Sequence, residues 1–264
     1  MTNNPLNQQQ IDSMNRLIDK IAKHQIQFFG KISSEPKADG TLITECDRWS
    51  DKEIVKGINI IAPGEGVLSE EGSKVKPDSA AYWVVDPLDG TTNFAAGIPY
   101  WAISIARFNN GKPDVAFLEI PALKKRILAI KGKGAWLNEE KISKDTKDRS
   151  QSDCISLCSR SIRVLQKQPS KRFPGKIRLL GVSSLNMLSV ALGQTISALE
   201  ATPKIWDLAA SWLILSELNC SIHWLERDPG QLNAGEDLTS VNFPLIVGRS
   251  PTEVKELLPW GNVL

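Results

Sequence analysis

Apolar positions at the start of the chain recur with helical spacing. Ile11, Met14, Leu17, Ile18, Ile21 and Ala22 fall on one face. Asn7 with Gln10 three residues on resembles a capping box, and Gly30 is a plausible stop. A second helix is predicted over about 50–61, with Ile54, Val55, Ile58 and Ile61 inward. The residues from Lys37 to Asp47 read as a turn or short hairpin leading into it. Alternating and β-branched runs then predict strands at 82–85, 101–108, 115–119 and 126–130. Asn109-Asn110-Gly111 is a strong hairpin connection, and Gly132-Lys133-Gly134 a further turn. The polar, charged stretch from Glu139 to Asp153 is the candidate boundary between two halves, 1–145 and 146–264. Beyond it, strands at 154–157, 176–180, 196–199, 221–225 and 245–247 are interspersed with helices at 185–192, 207–218 and 252–258. That order predicts a layered α/β half after a helix-plus-antiparallel half.

Composition narrows the class without naming a chemistry. The 264 residues are 41% hydrophobic and 23% charged, as in an ordinary globular protein. A formal charge of +2 gives no global pull toward nucleic acid or anionic membrane. No apolar run approaches the roughly 20 residues of a membrane span, and Met1-Thr2-Asn3-Asn4-Pro5 does not open a secretory signal. Cys46, Cys154, Cys158 and Cys220 lack metal-site or disulfide-frame spacing and read as reduced thiols of a cytoplasmic protein. His24 and His223 sit far apart in periodic segments and carry no assigned role. The basic stretch from Arg160 to Arg178 lacks the interleaved aromatics of a nucleic-acid surface and reads as a solvated face. The eight tryptophans read mostly as core.

One stretch changes the picture. Trp83-Val84-Val85 ends in Asp86-Pro87-Leu88-Asp89-Gly90-Thr91-Thr92-Asn93-Phe94. Two carboxylates three residues apart close an apolar strand. Pro87 fixes its own φ and biases Asp86 to an extended backbone, so the acids are held in place. Gly90 permits close backbone approach, while Thr91 and Thr92 bring hydroxyls and N–H groups. Acids and open amides in one turn suit hard cations together with a phosphate oxyanion. Three further acidic segments stand beside it: Ser69-Glu70-Glu71 after a short apolar strand, and Asp207 and Asp47 at helix entrances. Taken singly, each is as well explained as a solvated glutamate pair or a helix cap.

In this order the segments resemble the inositol monophosphatase family of magnesium-dependent, lithium-sensitive sugar phosphatases. The resemblance rests on the Asp86–Phe94 run, Trp206-Asp207-Leu208-Ala209-Ala210, Ser69-Glu70-Glu71, Thr44-Glu45-Cys46-Asp47 and Gly181-Val182-Ser183-Ser184-Leu185-Asn186-Met187. It implies an αβαβα sandwich of α/β (α+β) class. It implies one Mg²⁺ on Glu70, Asp86 and the Leu88 carbonyl, and a second on Asp86, Asp89 and Asp207. A third, weaker ion would sit on Glu70. The backbone N–H groups of Gly90 and Thr91 would cradle the phosphate. Thr91, paired with Asp47, would orient and help deprotonate the attacking water, and Ser183 and Glu200 would meet substrate hydroxyls. The family tendency to dimerise implies a homodimer.

Two departures stand out. Ile196 occupies a position where many members carry an aspartate four residues before the substrate glutamate, which places the change near the substrate side. Glu217-Leu218-Asn219-Cys220 replaces a common Glu-Ala-Gly-Gly and is expected to alter only a helix end. The expected activity is Mg²⁺-dependent hydrolysis of a small polyol phosphate, with myo-inositol 1-phosphate first. Histidinol phosphate is the main rival, since Lys37–Thr41 and Pro121-Ala122-Leu123 look similar to histidinol-phosphatase relatives. Other sugar or nucleotide phosphates follow, and a non-catalytic regulator on the same fold is the reading from another class.

Overall fold

The structure, a computed structural model, describes residues 5–37, 42–143 and 153–264. Helix α1 (Gln8–Phe28) begins with the expected capping box: Gln10 N donates to Asn7 Oδ1 and Asn7 N to Gln10 Oε1. Helix α2 (Glu45–Ile61) starts five residues before the expected Ser50. Its polar first turn hides the helix from a hydrophobic-period reading, and Thr44 caps it by accepting from Cys46 N and Asp47 N. Strands β1 (Glu35–Pro36) and β2 (Leu42–Ile43) pair antiparallel as the expected hairpin before α2. Residues 38–41 of that turn lie outside the described residues.

A seven-stranded sheet follows in the order β3 (Gly66–Ser69), β4 (Ala81–Asp89), β5 (Ala102–Asn109), β6 (Lys112–Ile120), β7 (Lys125–Ile130), β8 (Gly134–Leu137) and β9 (Glu140–Lys141). Only β3 and β4 run parallel; each later pair is antiparallel. The β5–β6 turn takes the left-handed φ values of a tight hairpin, 51° at Asn110 and 77° at Gly111. Alternation along the strands gives the sheet two apolar faces. Trp83, Val85, Ile103, Ile105 and Phe117 meet α1 and α2. Tyr82, Val84, Ala106, Phe108 and Leu118 meet α5 (Ser183–Ala191) and α6 (Ile205–Glu217) on the other side.

The second sheet has five strands, ordered β11 (Lys176–Arg178), β10 (Cys154–Leu157), β12 (Ser197–Glu200), β14 (Leu245–Gly248) and β13 (Ser221–Trp224). It is mixed: β10 runs parallel to both neighbours, and β14 antiparallel to both of its own. Ala198, Leu245 and Val247 pack toward α5 and α6, whereas Ile155, Leu199 and Ile246 pack on α7 (Pro251–Gly261). The layers are therefore helix, sheet, helix, sheet, helix, the expected αβαβα sandwich. Among the described residues no helix is long and apolar enough to cross a membrane.

Ile196 does not reach the substrate side. Its backbone bonds Cys154 and Arg249, and its side chain packs in the cluster beneath α7, so the expectation placing it near the substrate is corrected. The other departure does lie at a helix end. Asn219 takes the left-handed φ of 57° that closes α6, with Cys220 N donating to Leu215 O and Asn219 N to Ser216 O. Glu217 also reaches out of the helix, accepting from the N–H groups of Gly132 and Gly134 at 2.8 Å each. Glu217, the residue shared with the common segment, thus ties α6 to the β7–β8 turn.

Candidate active site

The apolar pattern of β4 stops at Val85, but the strand runs on to Asp89 and every residue of it is buried. Pairing with β5 shifts register between Asp86, opposite Ser104, and Asp89, opposite Ala102. Pro87, which has no N–H to give, sits in this irregularity. The parallel partner β3 brings Glu70 alongside, with Glu70 N donating to Val85 O at 3.1 Å. From the middle layer, the first turn of α6 presents Asp207, and Ser104 Oγ holds the Trp206 carbonyl at 3.3 Å. Ser184 N at the start of α5 donates to Asp89 Oδ2 at 2.8 Å, joining the end of β4 to that helix.

These elements frame a cavity of about 660 Å³. Glu70, Asp86, Leu88, Asp89, Gly90, Thr91, Ser183, Glu200 and Asp207 all line it. Asp47 stands behind its wall, where its Oδ1 accepts from Thr91 Oγ1 at 2.8 Å. Every candidate from the sequence is thus brought to one place. Carboxylate oxygens of Glu70, Asp86 and Asp207 lie within 4.8 Å of one another. Asp89 belongs to the same electrostatic group, with one oxygen taken by Ser184. Gly90 leads into the short α3 (Thr91–Ala95) with φ of 101°, and an added Cβ there would lie 2.7 Å from Val182 Cγ2. The first N–H groups of α3 have no intrahelical acceptor, and Gly90, Thr91 and Thr92 line the cavity.

The electrostatics fit a cation site. Burial, then the charge of Glu70, raises the Asp86 carboxyl well above the ordinary range; burial, then the charge of Asp89, does the same for Asp207. Burial pushes Asp89 up to about 6, with the bonds from Ser184 opposing. Lys37 Nζ bonds Glu70 Oε1 at 2.7 Å and also Glu71. Buried carboxylates this close repel unless protonated or neutralised, and an all-oxygen donor set suits a hard divalent ion. Asp47 is likewise raised by burial, against hydrogen bonds from Thr44 and Thr91 that favour its charged form.

Glu200 closes the opposite wall. Its Oε2 accepts from Ser183 Oγ at 2.6 Å and its Oε1 from Asn186 Nδ2 at 2.8 Å. Burial raises it to about 8, so it is a neutral acid near pH 7. Asn186 lines the cavity too and was not singled out from sequence. Its position three residues after Ser183, on the same face of α5, carries the signal. Cys158 was read only as a reduced thiol. It lines the cavity as well, and its Sγ accepts from Ala201 N at 3.3 Å. Its Sγ also bonds Ser161 Oγ at 2.9 Å, whereas the contact that ties it to the end of β12 spans 43 residues.

Comparison with known proteins agrees with this geometry. The model of the inositol monophosphatase family matches residues 6–242. A fructose-1,6-bisphosphatase/inositol-1-monophosphatase of Thermotoga maritima is 29% identical over 211 residues, spanning 78% of this chain and 81% of that protein. A histidinol-phosphatase of Mycobacterium tuberculosis is 31% identical over 194 residues, or 69% of this chain and 74% of its own. Among solved structures, an IMPase/NADP phosphatase complexed with Mg²⁺ and phosphate superposes with a TM-score of 0.77 at 25% identity, covering 95% of both chains. Sequence, fold and carboxylate cluster agree, and the chain belongs to the inositol monophosphatase family of metal-dependent phosphomonoester phosphatases.

Proposed function

We propose that this protein hydrolyses a small polyol phosphate in a Mg²⁺-dependent reaction, with myo-inositol 1-phosphate the first substrate to try. The convergence of Glu70, Asp86 and Asp207 oxygens within 4.8 Å, beside the Thr91–Asp47 pair, carries this reading. Glu70, Asp86 and the Leu88 carbonyl would hold one ion, and Asp86, Asp89 and Asp207 a second. Glu70, with waters, would also hold a third, weaker ion. When bound, Mg²⁺ supplies positive charge that offsets the repulsion between an anionic phosphate and its nucleophile.

The chain's own groups do the rest. Because Thr91 Oγ1 donates to Asp47 Oδ1, the threonine oxygen is free to accept from a water in the cavity. The proton can then pass through the hydroxyl to Asp47. Backbone N–H groups of Gly90 and Thr91 bind phosphate oxygens and keep the phosphorus in line. Ser183 and Glu200 take the hydroxyls of the alcohol. Phosphate release from the purified protein, with and without Mg²⁺, tests the reading. Asp89→Asn should lose activity about 100-fold or more, as a buried charged ligand is removed. Equal release from both proteins would sink the proposal. Li⁺, which fits a magnesium site with half the charge, should inhibit.

Histidinol phosphate is a second reading, favoured by the 31% identity to a histidinol-phosphatase. Specific activities on the two esters decide between them. We also infer a homodimer, with residues 1–145 and 146–264 forming the two halves of each subunit. Its support is an exposed apolar patch of Ile98, Leu179 and Leu180, gathered where Asn93 bonds both Leu180 O and Ile98 N. Light scattering should give about twice 29.1 kDa, and a monomer mass would refute it.

A further inference from the structure

Side chains alternate along a strand, so Asp86 and Asp89, three residues apart, should face opposite sides of the sheet. Trp83 and Val85 meet α1 and α2, and Asp89 would continue their row. Instead both carboxylates line the cavity. Leu88 turns back to the helix side, into the cluster of Cys46, Phe94 and Trp101. The register shift supplies the reason. Pro87 and Leu88 together stand opposite Ile103, between the pairs Asp86–Ser104 and Asp89–Ala102. The extra residue makes a β-bulge, which re-aims the side chains that follow it. Asp89 therefore joins Asp86 only while the bulge stays in place, at a point where the strand ladder that would hold it is interrupted.

Gln25 supplies a hydrogen bond at that point. It lies on the buried face of α1, in line with Ile11, Met14, Ile18 and Ile21, and is closed off from water. Its Nε2 donates to Pro87 O at 2.8 Å and to Ser50 Oγ at 3.2 Å. Its Oε1 accepts from Trp101 Nε1 at 2.9 Å. An indole N–H only donates and a proline carbonyl only accepts, so the amide fits in one orientation. Trp101 immediately precedes β5 and abuts the turn: a Cβ added at Gly90 would lie 3.4 Å from its Cα. One side chain thus grips the bulge at Pro87 and the residue packed against Gly90. An apolar side chain would fill this place in α1 as well, but none could serve both partners. We infer that Gln25 is a positioning residue for the cation site: by pinning the Pro87 carbonyl it keeps the bulge that turns Asp89 onto the face of Asp86. Those two carboxylates share an ion in the proposed function, the reading on which this inference rests.

Gln25→Met keeps the length of the side chain and removes the amide. Calorimetric titration of chelator-treated protein with Mg²⁺ should show Kd rising about tenfold or more, as when a group that orients a metal ligand is lost. Ser50→Ala removes a neighbouring bond of the same amide, leaves the Pro87 bond in place, and should bind Mg²⁺ as the wild type does. In turnover, the Mg²⁺ concentration giving half-maximal rate should rise for Gln25→Met by the same factor as Kd. Excess Mg²⁺ should then return kcat toward the wild-type value. A role in packing alone would lower Tm in chelator and leave Kd for Mg²⁺ unchanged, and that result overturns the inference. Ser50→Ala weakened as much as Gln25→Met would overturn it too, since the Pro87 bond survives there. Should Gln25→Met not fold, Trp101→Phe takes its place. It frees the amide to turn and should raise Kd about threefold or more, the worth of one hydrogen bond, and an unchanged Kd overturns the inference. Wild-type protein that takes up no Mg²⁺ removes the cation reading itself, whereas wild-type uptake matched by the variants removes only the role of Gln25.

Discussion

At Glu200 a carboxyl group is closed off from water and held by one hydroxyl and one amide, both donating to it. Those donors favour the charged form, yet burial outweighs them and lifts the group from 4.5 to about 8. In the metal-free protein, its contribution to stability is fully present below about 4.5 and lost as pH climbs through about 8. Glu200→Gln removes that titration while keeping the shape. Asn186 can still donate to the amide oxygen, and the Ser183 hydroxyl can turn to accept from the amide nitrogen. Urea unfolding in chelator should therefore show variant and wild type close together at pH 5, with the variant the more stable at pH 9. Parallel curves across that range would mean that burial of Glu200 costs the fold nothing. The resemblance in sequence was enough to expect this residue at the site, and it lines the cavity. Its protonation state was not legible, because Ser183 and Asn186 on α5 and the layers around β12 set it.

At the scale of elements, legibility followed the range of the interaction that fixes each one. Helix α1 and the β5–β6 hairpin are written locally, in a capping box and an Asn-Gly pair, and the structure holds both where expected. Strand β4 was read as ending at Val85 because the hydrophobic signal stops there. It continues to Asp89 because β5 lies beside it, a contact that periodicity does not encode. The same holds for the cavity rim: Arg160 looked like part of a solvated basic face until the end of β12 was seen to hold it. The junction of β4 and α3 depends on Gly90 in two ways. Its φ of 101° is one that side chains avoid, and a Cβ would press Val182 Cγ2 at 2.7 Å. Gly90→Ala should cost about 1–3 kcal/mol from the backbone alone. It should also push the turn away from Val182 and, if the Gly90 and Thr91 N–H groups bind phosphate as proposed, raise KM. Denaturant midpoints and kinetics read the two effects, and an alanine variant with wild-type values of both would show the turn to be tolerant.

For the whole molecule, the acidic cluster is a point of tension that a cation turns into a brace. Glu70 and Asp86 come from the first sheet and Asp207 from the middle helical layer, so the cluster joins layers over more than a hundred residues of chain. Without a cation, their proximity works against folding; with one, the same three groups hold the layers together. A ligand that binds only the folded state stabilises it by about 2.7 kcal/mol at a hundred times its dissociation constant. In a protein this large, each kcal/mol moves Tm by roughly 2–4 °C. Saturating Mg²⁺ should therefore raise Tm by several degrees over chelator. Asp207→Asn separates this account from ordinary loss of a buried contact. The asparagine oxygen can keep the bond from Lys204 N that caps α6, now at 2.8 Å, while one repelling charge is gone. The variant should melt at or above the wild type in chelator, and its Mg²⁺-dependent rise should shrink toward zero. A variant that melts well below wild type in chelator and keeps the full Mg²⁺ increment would show that Asp207 serves the fold rather than the ion.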